Sequence, residues 1–366
     1  MTRLHPFQSM LTSNPPVQPR SITGRIMLSL AWTGWALAAG AAQAQEKSAP
    51  AADGPWISSV AWQNDSTLLG TRSQGLLFRS AEVVQASAAA PSELKVVGES
   101  ETSLWSVMPT KAGGILASDY KGGVHLFAAS ADKPAPAQAF ELDARWIRAL
   151  EQSPSADEVL AGTEDGKLVV LSVSQGKELK KVEAHAAAIF DIAISAAGDK
   201  VATAAGDGSI KIFSWPGLEP QGEMRVGKDA IWGLTFVNED RQIVSGGADR
   251  AIQLWDVASH SSIVTMATAH NWVTSVVALP KSHFVLAGCM DGSLVVVDLR
   301  RMLAVTQQDL AKSAIWSMAL SPDGKQLAVG TRKHGLQVSK VQPLRRAARK
   351  AAQEAETVRP PAPKKS

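Results

Sequence analysis

"SGGADRAIQLWD", residues 245–256, combines a small-residue strand end, a turn around Asp249, an alternating strand and a terminal Trp-Asp. The alternation through Ala251–Trp255 suits a half-buried strand, and the small residues before it suit a tight turn. The pattern recurs. Upstream lie "ATAAGDGSIKIF" (202–213), "LAGTEDGKLVVLS" (160–172), "LASDYKGGVHLF" (116–127) and "LLGTRSQGLLF" (68–78); downstream lie "LAGCMDGSLVVVD" (286–298) and "LAVGTRKHGLQV" (327–338). Each reads as strand, turn, strand. Asp-Gly at 165–166, 207–208 and 291–292 is a strong hairpin signal, because both residues tolerate positive φ.

Each hairpin follows another apolar segment. Aligned on their first apolar residue, these begin at Ile57, Leu104, Ile147, Ile189, Ile231, Val273 and Ile315, with successive spacings of 47, 43, 42, 42, 42 and 42. A repeat of about 40–45 residues carrying about four strands is the signature of propeller blades. The expected fold is all-β, a seven-bladed β-propeller over residues 56–341, with almost no helix inside it.

At this point the chain resembles the WD-repeat family, most closely in "GGADRAIQLWD" and in "SPDGKQLAVG" (321–330). The resemblance implies strands a to d radiating from a central channel, with strand d drawn from segments such as 93–99, 137–143 and 176–184. It also accounts for the Trp-Asp. In the family a strand-c Trp joins a network with a strand-b Ser or Thr, a hairpin Asp and a His before strand a, which satisfies polar groups inside the blade. Here the network is present in pieces: Ser245, Asp249 and Trp255 without a His; His185, Thr203 and Asp207 with Phe213 in the Trp position; His270 and Asp291 with Ala287 and Val297 in the other two. These residues are read as structural. Ring closure stays open: either the last blade has three strands or residues before Trp56 pair with it.

The ends read differently. Arg20 and Arg25 precede "IMLSLAWTGWALAAGAA" and then "AQAQ". A basic flank, a short apolar run and an Ala-x-Ala site make residues 1–44 a secretory signal peptide cut between Ala44 and Gln45, with a membrane anchor as the alternative. The mature chain would carry 34 basic and 34 acidic residues. Residues 45–55 form a flexible leader. Residues 342–366 form a basic Ala/Pro/Lys-rich tail of net charge +5, either a solvated end or a docking segment for an acidic partner or anionic lipid. Cys289 is the only cysteine, so no intrachain disulfide forms, and packing is its expected role.

No haem-attachment, zinc-protease, phosphate-loop or serine-hydrolase motif occurs. The histidines after residue 44 are scattered at 125, 185, 260, 270, 283 and 334. Neither a cofactor nor a metal is expected. One feature exceeds the structural background: an aromatic immediately before or after each strand-a anchor, namely Trp56, Trp105, Trp146, Phe190, Trp232, Trp272 and Trp316. Strand a is innermost, so these seven should ring one channel opening on the narrow face, either facing a partner or filling space between blades. Arg72 and Arg332, in the matching loops "GTRSQG" and "GTRKHG", and Arg148, near Trp146, add positive charge. A basic aromatic rim suits an acidic peptide or a carboxylate. The expected function is a non-catalytic, monomeric periplasmic or secreted scaffold that binds a protein or peptide, not nucleic acid, and keeps no membrane span once the signal is cut. The alternative is an envelope enzyme, or a redox or metal accessory protein, using the channel.

Overall fold

The computed structural model describes residues 56–73, 79–128, 136–142, 146–155, 157–225 and 227–357. The expected signal peptide with its cut at Ala44–Gln45, the leader 45–55 and tail residues 358–366 lie outside the described residues.

Within them the chain forms 27 strands, in six four-stranded antiparallel sheets and one three-stranded sheet. Blade 1 holds β1 (Trp56–Asn64), β2 (Thr67–Ser73), β3 (Ala81–Ser87) and β4 (Ala90–Ser100). Blade 2 holds β5 (Leu104–Pro109), β6 (Ile115–Asp119), β7 (Gly123–Phe127) and β8 (Gln138–Glu141). Blade 3 holds β9 (Ile147–Gln152), β10 (Glu158–Thr163), β11 (Lys167–Ser172) and β12 (Lys177–Glu183), and blade 4 holds β13 (Ile189–Ile194), β14 (Lys200–Ala205), β15 (Ser209–Ser214) and β16 (Pro220–Arg225). Blade 5 holds β17 (Ile231–Val237), β18 (Gln242–Gly247), β19 (Ala251–Asp256) and β20 (Ser261–Thr268). Blade 6 holds β21 (Val273–Ala278), β22 (Phe284–Cys289), β23 (Ser293–Asp298) and β24 (Leu303–Asp309). Blade 7 holds only β25 (Ile315–Leu320), β26 (Gln326–Thr331) and β27 (Leu336–Lys340), followed by helix α1 (Val341–Thr357). The first strand of each blade touches the first strand of the next, and β25 touches β1, so the circuit closes. The fold is a seven-bladed β-propeller.

Seven apolar clusters hold the ring, one between each adjacent pair of blades. Sandwiched on both faces, the middle strands are almost continuously buried, as in β22 "FVLAGC" and β23 "SLVVVD". Outer strands such as β12 "KELKKVE" face water. The β-branched anchors have a specific seat. A Cβ on Gly162, Gly246, Gly288 or Gly330 would come within 2.6, 2.3, 2.8 or 3.0 Å of a γ-carbon of the next blade's Ile189, Val273, Ile315 or Ile57. Glycine at the end of the second strand is what lets the next blade approach.

The Gly330–Ile57 contact shows how the ring closes. Blade 1 meets blade 7 through the same kind of seat used elsewhere, with Trp62 Nε1 donating to Ala319 O (2.9 Å) and Asp323 N donating to Asp65 Oδ1 (2.8 Å). Among the described residues blade 7 has three strands. Pro343 stands where a fourth strand would begin. It cannot donate to a ladder, yet the first turn of a helix tolerates it. The chain therefore leaves as α1, which packs Val341, Leu344 and Ala348 into the apolar cluster between blades 6 and 7. This corrects the reading of the tail as a solvated end for its first part. No helix among the described residues is long and apolar enough to cross a membrane.

Blade 1 departs from expectation in a second way. Its third strand is Ala81–Ser87, beyond the "LLF" that followed "GTRSQG" in sequence. The anchor spacing of 47 reflects this longer connection.

Candidate functional site

The seven aromatics do gather where the inner strands begin, but they turn inward. Ring centroids lie 5.5 Å apart for Trp56–Trp105, 5.2 Å for Trp56–Trp316, 4.9 Å for Trp105–Trp146 and 4.6 Å for the stacked pair Phe190–Trp232. Trp232 of blade 5 also meets Trp316 of blade 7 at 6.3 Å, across the intervening blade. The rings pack against one another at one end of the channel as an aromatic plug, in which Trp56, Trp105, Phe190, Trp232 and Trp316 are half-buried. Trp146 is 5% exposed, and its φ of +53° is rare for a bulky residue. Trp272 is the most exposed of the seven: it stacks on Trp232 at 6.1 Å and keeps 38% of its surface in solvent.

The centre of the plug is Arg148. Its guanidinium carbon lies 3.8 Å from the Trp146 ring centroid, 4.7 Å from those of Trp105 and Phe190, and 5.6 Å from that of Trp232. Register explains the position. In blades 2, 4, 5 and 7 the aromatic follows the anchor; in blade 3 it precedes it, and Arg148 takes the following slot. Burial pushes Arg148 down to about 9. Cation–π contacts with four rings offset part of that cost. The indole N–H groups of Trp56, Trp105, Trp232 and Trp316 are buried without a hydrogen-bond partner among the described residues. Unsatisfied buried donors cost stability, and such costs concentrate where packing serves something besides folding.

The basic rim is corrected accordingly. Arg148 is half-buried, with its guanidinium held among the rings of the plug. Arg72 pairs with Glu82, its cross-strand neighbour on β3, at 2.5 Å, so its charge is neutralised locally. Of the three arginines assigned to the rim, Arg332 is the exposed one.

The structural network is assembled in one blade and divided in others. His185 Nε2 is 2.7 Å from Thr203 Oγ1, and its Nδ1 is 3.0 Å from Ser209 Oγ and 3.3 Å from Asp207 Oδ2. Burial works to raise Asp207, but hydrogen bonds from His185 and Ser209 hold its carboxyl well below the usual range. In blade 5, Trp255 is 2% exposed and donates from Nε1 to Ser245 Oγ at 2.8 Å. Gly227 stands there at the spacing of His185, and Asp249, without an imidazole, is raised by burial. His270 is a correction: it is exposed and meets Gln307 Nε2 at 3.1 Å, while Asp291 accepts from Ser293. The linker before Val273 is one residue shorter than the linker before Ile189, which moves the imidazole out of the blade. Cys289 is fully buried, and burial pushes its thiol up to about 11.

The rings and the inner strands line a cavity of about 420 Å³ in the channel. Sequence reasoning passed over its wall. Two residues after each anchor stand Ser59, Ser106, Ala149, Asp191, Gly233, Ser275 and Ser317. Four of these side chains accept a backbone N–H from the next blade: Ser59 from Val107, Ser275 from Met318 and Ser317 from Val60 at 3.2 Å each, and Asp191 from Leu234 at 2.8 Å. The seven-residue column was visible in the sequence; its direction was not. Asp191 is the one carboxylate in it, and Glu151, two residues further along β9 than Ala149, also lines the cavity.

Three segments of the chain, residues 176–214, 219–256 and 261–298, match the family described as WD domain, G-beta repeat. Each takes the outer strand of one blade and the inner three of the next, so the sequence repeat is offset by one strand from the structural blade. The chain is 23% identical to WD repeat-containing protein VIP3 of Arabidopsis thaliana, over 49% of this chain and 60% of that protein. It is 24% identical to the WD repeat-containing protein 55 homolog of Drosophila willistoni, over 46% and 34%. It is 26% identical to Autophagy-related protein 16 of Arabidopsis thaliana, over 30% and 22%. The matches span less than two thirds of each relative. Three WD-type repeats within a ring of seven blades are what likeness and structure establish together.

Proposed function

We propose that this protein is a non-catalytic scaffold that binds a protein partner on the face carrying the aromatic plug. The observation that carries this reading is Trp272, a large aromatic side chain left 38% exposed on a rigid aromatic platform. Exposed Trp held by its neighbours loses little entropy on docking, and Trp dominates interface hot spots. Arg332, exposed on the same face, adds a positive charge there. The likeness to WD-repeat proteins supports a protein-binding role in general. With residues 1–44 as a signal peptide, the scaffold works outside the cytoplasm, in the periplasm or secreted. N-terminal sequencing of envelope-extracted protein tests the export: "QEKSAPAADG" is expected, and an intact residue 1–44 segment contradicts it.

The docking test is retention of partners from a native extract by the wild type and by Trp272→Ala at equal melting temperature. Loss of a partner with unchanged stability supports the reading; unchanged retention removes this face from it. One observation favours the second reading, a channel that takes a ligand: Glu151 and Asp191 on the cavity wall.

A further inference from the structure

We propose that the channel beneath the plug binds a small primary-ammonium compound between Glu151 and Asp191. This stands apart from partner docking on the plug face and is tested separately.

Among the residues lining the cavity only Arg148, Glu151 and Asp191 are ionisable as Arg or carboxyl groups. With both carboxyls ionised the lining carries a net charge of −1. Arg148 does not balance them, because its guanidinium is held among the rings of the plug, with Glu164 as its acidic neighbour. Burial, with the Asp191 charge adding to it, pushes Glu151 up to about 8, and burial pushes Asp191 up to about 7. At neutral pH the empty site is therefore partly protonated. A ligand bringing one positive charge would displace those protons.

The polar geometry selects the kind of cation. Asp191 holds its place through backbone N–H groups, Ile192 N to Oδ1 (3.0 Å) and Leu234 N to Oδ2 (2.8 Å), and each oxygen keeps lone-pair capacity. Glu151 is half-buried on the same wall and has no hydrogen-bond partner among the described residues, so its oxygens are open to a donor. Hydroxyl groups of Ser106 and Thr235 share the wall. An ammonium group brings three donors to these acceptors. A divalent metal fits poorly. It wants six or more oxygens, whereas Ser59, Ser275 and Ser317 already accept inter-blade N–H groups. Among the described residues no group of three or more His, Cys, Asp or Glu stands together in metal-holding range. A quaternary ammonium brings no donor, and Arg148 already occupies the aromatic faces it would need. The cavity of about 420 Å³ lies toward the small end of ligand pockets, so the ligand is small.

Titration calorimetry with n-butylammonium chloride on the full chain tests this, with tetramethylammonium chloride, calcium chloride and n-butanol as comparisons. Saturable n-butylammonium binding is expected, tightening at least tenfold between about pH 6 and pH 8.5 as the two carboxyls lose their protons. Glu151→Gln should weaken it about tenfold or more, while Trp272→Ala should leave it unchanged. The pH dependence is read on the wild type alone, so the test does not depend on the variant folding. No saturable binding up to about 10 mM at about pH 8, equal binding of calcium or tetramethylammonium, or a wild-type affinity flat with pH would overturn the proposal. Loss of binding in Trp272→Ala would overturn its separation from the docking face.

Discussion

Replacing Glu151 by Gln should change how stability follows pH. Burial and the Asp191 charge raise this carboxyl from 4.5 to about 8 in the folded protein. The native state then keeps a proton that the unfolded chain releases near 4.5. Between about pH 4.5 and pH 8 the unfolded state binds fewer protons, so stability falls as pH rises. Glutamine resembles the protonated acid in shape and cannot ionise. The variant should match the wild type at the acid end of the window and exceed it above about pH 8. At about 1.4 kcal/mol per pH unit the ceiling is about 5 kcal/mol. A cavity of about 420 Å³ has room for water, and screening at an effective dielectric near 20 brings the expected gain to about 1–2 kcal/mol. The assay is urea unfolding followed by Trp fluorescence, for both proteins, at several pH values from 5 to 9. Other carboxyls, Asp191 included, are present in both proteins and largely cancel in the difference. Parallel stability curves, or a variant weaker than the wild type at the alkaline end, would refute the reasoning.

Three further outcomes are expected. Trp255→Ala should cost about 3–5 kcal/mol as a core cavity, and Ser245→Ala about 1–3 kcal/mol, because it strands the buried indole N–H; denaturant unfolding checks both. Truncation after Lys340 removes Val341, Leu344 and Ala348 from the cluster between blades 6 and 7 and should cost about 3 kcal/mol or more, read as an earlier thermal melt with the strand-dominated far-UV spectrum retained below it. Trp272→Ala should change stability by less than about 1 kcal/mol, since much of the ring already faces water.

The ring was legible because its period is covalent. Seven anchors at near-constant spacing mark seven inner strands whatever the neighbouring side chains do, and glycines such as Gly246 and Gly288 mark where the next anchor seats. The site was legible only in part, because its chemistry depends on directions and partners that spacing does not encode. The aromatic column marked residues that gather at one end of the ring, yet how their rings pack against one another depends on rotamers across the ring. Arg148 was traceable from its register, one position after the anchor, where other blades place Trp or Phe. Arg72 was not: its pairing with Glu82 requires the register between β2 and β3, and the connection there is unusually long. His270 was misplaced by a single residue of linker. Asp191 and Glu151 were overlooked because carboxylates on a strand ordinarily read as solvent-facing, and only the closed ring turns that surface inward.

The central claim is that a partner docks on the plug face. The most direct measurement is site-specific photocrosslinking from position 272, with position 281 as control. Lys281 is exposed in the loop between β21 and β22, at the opposite end of the same blade. The account predicts a discrete crosslinked partner from position 272 and none from position 281. A partner captured from position 281 alone, or equally from both, would contradict it.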